Sequence, residues 1–200
     1  MKTPQQKNNQ RLIVLIFALS VIPFLMAWYL KENPELLAAR TNNNGALITP
    51  PITTELSDFV GFDQFSRDNM KELAGHWVMI NVIPKAECAA VCSKALHDTK
   101  QLLLMMGKDL VRIRRIAVLL NEVEPNVATT WWQDDTRLLK ANANAALLQK
   151  IHTLQKSNPP DGLLILMDPL GNLMMHYAPG FDPYKVMVDL KKLLAVSQIG

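Results

Sequence analysis

The chain has 200 residues, two cysteines and a formal net charge of +3, and 49% of it is hydrophobic. That length allows one ordinary domain plus a short extra element. So mild a charge excludes nucleic-acid binding, which needs Lys and Arg gathered on one face. The one dense basic run, Arg112, Arg114 and Arg115, falls inside an expected strand and reads as a charged edge.

Residues 12–30 (LIVLIFALSVIPFLMAWYL) carry no charge. At ~1.5 Å per residue the run spans roughly 28 Å, close to the ~30 Å hydrocarbon core of a bilayer. Pro23 is tolerated in a membrane helix, and Trp28 and Tyr29 suit the interface at its far end. Lys2, Lys7 and Arg11 precede it without an acidic residue, whereas Lys31 and Arg40 after it are balanced by Glu32 and Glu35. A cleaved signal peptide would have an apolar core of ~7–15 residues and a small-x-small site, and neither fits. The sequence therefore predicts a cytoplasmic N-terminus over 1–11, a transmembrane helix over 12–30, a tether over 31–55 and a domain over 56–200. The expected location is a bacterial inner membrane, spanned once, with the C-terminal domain in the periplasm.

In the tether, Asn42, Asn43, Asn44 and Gly45 are turn-formers, and Pro50-Pro51 favours an extended chain. Trp77–Ile83 reads as a buried strand ended by Pro84, and Cys88–Met106 as a helix stopped by Gly107. Val111–Leu120 is a second strand, followed by a loop over Glu122–Trp132. Asp134 or Asp135 is expected to cap a helix to Leu154, with Leu139, Ala143, Leu147, Ile151 and Leu154 on one stripe. Leu163–Met167 is a third strand. The Asp168–Asn172 turn makes Leu173–Tyr177 an antiparallel fourth, and Asp182 caps a last helix from Pro183 to Val196. The order β-α-β-α-β-β-α is an α/β sandwich with a mixed sheet, the thioredoxin-like order.

Cys88 and Cys92, in PKAECAAVC, sit where the first strand hands over to the first helix. A helix N-terminus stabilises a thiolate, favouring both redox and metal chemistry. Residues i and i+4 within a regular helix keep Cβ atoms ~5–6 Å apart, whereas a disulfide wants ~3.5–4.5 Å. Cys88 is therefore expected on the loop and Cys92 in the first turn. A loop this small adds little stability by chain entropy, so a reactive pair is the better account than a structural staple or two inert core cysteines. The spacing is C-x3-C, not the C-x2-C of common dithiol oxidoreductases. No Gly-rich phosphate loop, H-E-x-x-H or serine elbow competes with it.

GHWVMINV before the cysteines, CAAVC itself and LLILMDPLGN after them resemble the Sco/SenC family over residues 55–200. DPLGNLMM and the DP-initiated ending in SQIG are similar to small single-pass proteins encoded among cytochrome c oxidase assembly genes. The resemblance implies a thioredoxin-like fold and an assembly factor for cytochrome c oxidase, acting in copper handling or thiol redox, with an oxidase subunit or another assembly factor as partner. Copper is the implied cofactor, with Cys88 and Cys92 as ligands. The family's third ligand is a His before the third strand, but the stretch Lys156–Gly162 has none. His152 and His176 are the substitutes to consider, since His97 lies half a turn from the cysteines and His76 at the opposite end of its strand. Met174 and Met175 point to opposite faces, so only one could line a site. Reductases of this fold place a cis-proline before the third strand, which makes Pro160 the candidate. The alternatives are a thiol–disulfide reductase of a periplasmic partner and a non-catalytic interaction module. Trp131-Trp132 reads either as a core lid or as a docking patch.

Overall fold

The computed structural model describes residues 4–33, 42–155 and 158–197. It divides into two units, residues 1–43 and 44–200. In the first, helix α1 (Pro4–Glu32) includes an apolar stretch, Leu12–Glu32, long enough to cross a membrane. Its side chains are apolar on all sides and uncovered, as a helix solvated by lipid requires. Asn33 closes it, its Nδ2 donating to the Tyr29 carbonyl at 2.8 Å. Residues 34–41 of the expected tether, with Glu35 and Arg40, lie outside the described residues.

The second unit is built on a seven-stranded sheet in the order β1-β7-β6-β3-β4-β5-β2. The strands are β1 (Ala46–Thr53), β2 (Phe59–Gly61), β3 (Trp77–Ile83), β4 (Ile113–Leu119), β5 (Leu139–Ala143), β6 (Leu163–Met167) and β7 (Asn172–Tyr177). The helices are α2 (Gln64–Asn69), α3 (Ala90–Met105), α4 (Pro125–Thr129), α5 (Ala145–Gln155) and α6 (Pro183–Val196). β3 runs parallel to β4, from Trp77 opposite Ile113 to Ile83 opposite Leu119, and β4 runs parallel to β5. β6 is antiparallel to both β3 and β7. The four central strands and their helices give the expected thioredoxin-like sandwich.

β3 and β6 are buried at every position, because helices cover both faces of the sheet. On one face Met79, Leu164, Leu166 and Met175 pack against Leu102 of α3 and Leu190 of α6. On the other, Val78, Ile80, Val82 and Ile165 meet Leu147 and Ile151 of α5. The domain begins on a buried acid: Asp189 of α6 accepts from the Asn44 amide at 2.7 Å, the Gly45 amide at 3.0 Å and the Tyr177 hydroxyl at 2.9 Å. Burial raises the Tyr177 pKa, as do the charge and hydrogen bond of Asp189.

Three expectations change. Residues 46–53, read as tether, form the edge strand β1 on β7, its register broken between Leu47 and Ile52 around Pro50-Pro51. Proline lacks a ladder donor and is admitted at such an edge. The helix expected from Asp134 to Leu154 is two elements. Leu139 and Ala141 point into the core as β5, and α5 begins only after Asn144, whose Oδ1 accepts from the Leu147 amide at 2.8 Å. The alternation of Leu139, Ala141 and Ala143 is a strand's period, and pairing with β4 overrides the helical stripe. β4 is also no charged edge: it lies between β3 and β5, with Arg115 buried against Asp135.

Candidate functional site

β3 delivers the chain at Ile83 to a short loop carrying Cys88, and α3 begins two residues later. Ala89, the residue before α3, offers no side-chain cap, and the first turn holds no acid. The N–H groups and partial positive charge at this end are thus left to the sulfur chemistry. Cys88 and Cys92 form a disulfide, with Cα atoms 5.2 Å apart. The sequence-derived placement holds: one cysteine on the loop, the other in the first turn. Cys92 is 2% exposed and Cys88 half-buried, which makes Cys88 the accessible sulfur. The Ser93 hydroxyl lies 3.7 Å from Cys88 Sγ.

A wall stands beside the pair. Cys92 and Leu96 of α3 pack with Ile83, Leu119, Ala128, Leu138 and Trp132, and Cys88 and Trp131 border this cluster. Trp131 and Trp132 meet edge-on at 5.6 Å, and Phe62 meets Trp132 at 5.9 Å. The tryptophan pair is therefore a lid of the core against the cysteine segment. Arg115 ties this wall to α3. Its Nη1 donates to Asp135 Oδ2 at 2.6 Å, its Nη2 to the Leu96 carbonyl at 2.8 Å and its Nε to Thr99 Oγ1 at 3.2 Å. Burial lowers its pKa while Asp135 acts to raise it.

The turn into β6 forms the other side. Pro160 is trans, since Thr49–Pro50 is the cis bond found among the described residues, and the Pro160 side chain is exposed. The cis-proline expectation is corrected. Gly162 takes the corner instead, at φ +84°, against Val91 in the first turn of α3. A Cβ there would stand 2.8 Å from Val91 Cγ1. Asp161, beside it, has Oδ1 buried without a hydrogen-bond partner. Burial raises its pKa, Lys85 and the Gly162 amide oppose this, and Glu87 adds to it. Asp161 and Gly162 were read in the sequence only as a chain breaker; their signal was the Asp-Gly dipeptide immediately before a buried strand.

The histidines do not join the sulfurs. His152 lines a cleft of about 280 Å³ with Pro84, Lys85, Asn121 and Pro159, on the α5 side of the sheet. His176 alternates with Met175 and Tyr177, which pack toward α3 and α6, so it faces the opposite side; burial lowers its pKa. It borders a cleft of about 480 Å³ whose lining includes neither cysteine. Met175 is core, its Sδ 3.1 Å from the Tyr177 hydroxyl. Among the described residues no three His, Cys, Asp or Glu side chains gather as a metal site. The three-donor copper set implied by the resemblance does not assemble. Lys156 and Ser157 of that stretch, and Gln198–Gly200 of the SQIG ending, lie outside the described residues.

Residues 77–197 match the family described as the transmembrane-like, thioredoxin-like, C-terminal domain. The chain belongs to that family. No curated protein matches it. Solved structures of similar fold include apo Sco1 from Thermus thermophilus, at 16% identity and a TM-score of 0.56, covering 78% of this chain and 99% of that one. Yeast Sco1 with copper bound is similar at 15% identity and a TM-score of 0.50, covering 64% of this chain and 80% of that one. Arabidopsis thaliana ScoI with copper bound is similar at 12% and 0.50, covering 64% and 89%. This member of the family thus has the Sco-like thioredoxin fold together with an N-terminal helix that fits a membrane anchor.

Proposed function

We propose that this protein is a membrane-anchored thiol–disulfide exchange factor that acts through Cys88 and Cys92 on a partner's cysteines during cytochrome c oxidase assembly. The observation that carries the reading is the Cys88–Cys92 disulfide at the uncapped N-terminus of α3, with one sulfur accessible and the other buried. In the reduced form, the helix N-terminus and the Ser93 hydroxyl favour a thiolate at Cys88. That thiolate attacks a partner disulfide, and Cys92 then displaces the partner from the mixed disulfide. Two sulfurs in one turn suit this exchange without any third donor.

Copper handling is the second reading, favoured by the copper-bound yeast and Arabidopsis proteins of the same fold. Here it would rest on two sulfurs alone. One pair of measurements separates the readings. The reduced full chain in detergent is titrated with Cu(I) against a micromolar competitor, and its thiols are equilibrated with glutathione. We expect reversible exchange with glutathione and no stoichiometric Cu(I) retention. Tight retention of one Cu(I), with no exchange, would reverse the order. The cellular role is tested by replacing both cysteines with Ser in a complemented deletion strain, with a loss of CuA content expected. Normal CuA content would favour a non-catalytic module.

A further inference from the structure

A cleft between α3 and the segment before β5 has no part in the exchange reaction as stated. Its volume is about 230 Å³, below the ~300–1,000 Å³ of a small-molecule or cofactor site. Ser93, His97 and Lys100 line one side, and Trp131, Asp134 and Asp135 line the other. Positions 93, 97 and 100 follow the rhythm of one helix face, so the cleft runs along α3 for ~10 Å. One end of it lies at the accessible sulfur. The Ser93 hydroxyl is 3.7 Å from Cys88 Sγ, and Cys88 and Trp131 border the same apolar cluster. A chain joined to Cys88 in a mixed disulfide therefore starts at the mouth of this cleft. The lining carries little net charge. Asp135 is matched by Arg115 at 2.6 Å, while Lys100, which donates to the Asp134 carbonyl at 2.7 Å, and the Asp134 carboxylate have opposite signs. Trp132 is 7% exposed and belongs to the core, but Trp131 is half-buried and keeps part of its ring for another surface. Tryptophan is the residue most enriched among the anchors of protein interfaces.

We propose that this cleft receives the extended segment of the partner beside its reactive cysteine, selecting an uncharged aromatic or long aliphatic side chain against Trp131. The proposal rests on the thiol–disulfide reading and names the partner chemistry that the site prefers. At ~3.3 Å per residue the cleft holds about three residues of extended chain, so the selected side chain lies within about three positions of the cysteine. The docked segment aligns its cysteine sulfur with Cys88 for the first step. The Cys88 thiolate attacks that sulfur, a Cys88–partner S–S bond forms, the partner's own S–S bond breaks, and the departing thiolate takes a proton from solvent. Holding the two sulfurs in line makes this attack effectively intramolecular. Docking therefore speeds formation of the mixed disulfide and confers specificity there, and Cys92 resolves it as before.

The test mixes reduced full-length protein in detergent with symmetric disulfides of three blocked tripeptides, Cys-Gly-Phe, Cys-Gly-Gly and Cys-Gly-Glu. Acid quenching and mass spectrometry then follow the released peptide thiol. The Phe probe should react about tenfold faster than the Gly probe, less than full burial of such a side chain would give. The Glu probe should react no faster than the Gly probe. In Trp131→Ala the Phe-to-Gly ratio should fall close to one. Each ratio is taken within one variant, so a general loss of reactivity cancels. His97→Arg changes an exposed position on the α3 side and lays a guanidinium over Trp131, so it should lower the ratio too. Equal rates for all probes in the wild type, a preference for Glu, or a Phe preference that survives Trp131→Ala would overturn the proposal while leaving thiol exchange intact. Should Trp131→Ala fail to fold, His97→Arg carries the test, and an unaltered ratio overturns the proposal. A wild-type protein that reacts with none of the probes, nor with glutathione disulfide, would remove the exchange reading and the docking site with it.

Discussion

Asp58 and Asp161 are two acids whose environments send them in opposite directions. Burial resists ionisation of Asp58, but Lys150 Nζ at 2.6 Å, the Glu55 amide at 3.0 Å and Asn144 Nδ2 at 3.3 Å overcome it, and the net pKa is lowered. For Asp161 burial prevails and the pKa is raised. The linkage signs follow. The stability Asp58 contributes is present above its unfolded value of about 3.9 and is lost as pH falls through its lower folded value. The contribution of Asp161 is complete below about 3.9 and is lost as pH rises through its higher folded value. Melting curves of the oxidised protein should therefore show Asp161→Asn raising Tm at pH 7 with little effect at pH 3. Asp58→Asn should lower Tm at pH 7 and lose much of that effect at pH 3. Equal shifts at both pH values would mean that charge is not what distinguishes the two sites.

At the scale of elements, Arg115 joins β4, α3 and the segment before β5 through one guanidinium. Its side chain is 2% exposed and that of Asp135 is 12% exposed. Removing one member of a buried pair strands the other, so Asp135→Ala should cost about 3 kcal/mol, at the low end for such pairs. Urea unfolding measures this, and the near-UV signal of Trp131 and Trp132 should weaken as the wall loosens. The sequence could not show this pair, because twenty positions separate its members and a basic run inside a strand looks like a solvated edge. What was legible were elements whose pattern is local: β3 and β6 as short apolar runs between breakers, α6 with Asp182 and Pro183 at its start, and the loop-then-turn placement of the cysteines. β1 and β5 escaped because long-range pairing with β7 and β4 decides them. Pro160 misled for a related reason. The turn before β6 is closed by Gly162 at positive φ against Val91, a long-range packing that no local pattern around Pro160 reveals.

For the molecule as a whole, the anchor and the disulfide bear on a single question, the side of the membrane on which the domain lies. Lys2, Lys7 and Arg11 precede the apolar stretch that starts at Leu12, and positive flanks favour the cytoplasm. Reducing pools in the cytosol keep thiols open, so the exchange proposed for Cys88 and Cys92 requires the domain on the opposite side. The two expectations are independent, since one uses charge at the N-terminus and the other sulfur chemistry in the domain, and labelling of Cys88 tests both. Spheroplasts briefly reduced with an impermeant phosphine and then treated with an impermeant maleimide should be labelled at Cys88 without detergent. Replacing Lys2, Lys7 and Arg11 with Gln should make labelling partial, because the insertion bias weakens while the helix remains apolar enough to insert. Labelling that appears only after the membrane is opened would put the cysteines in a reducing compartment. Exchange with an extracytoplasmic partner would then have no place to occur.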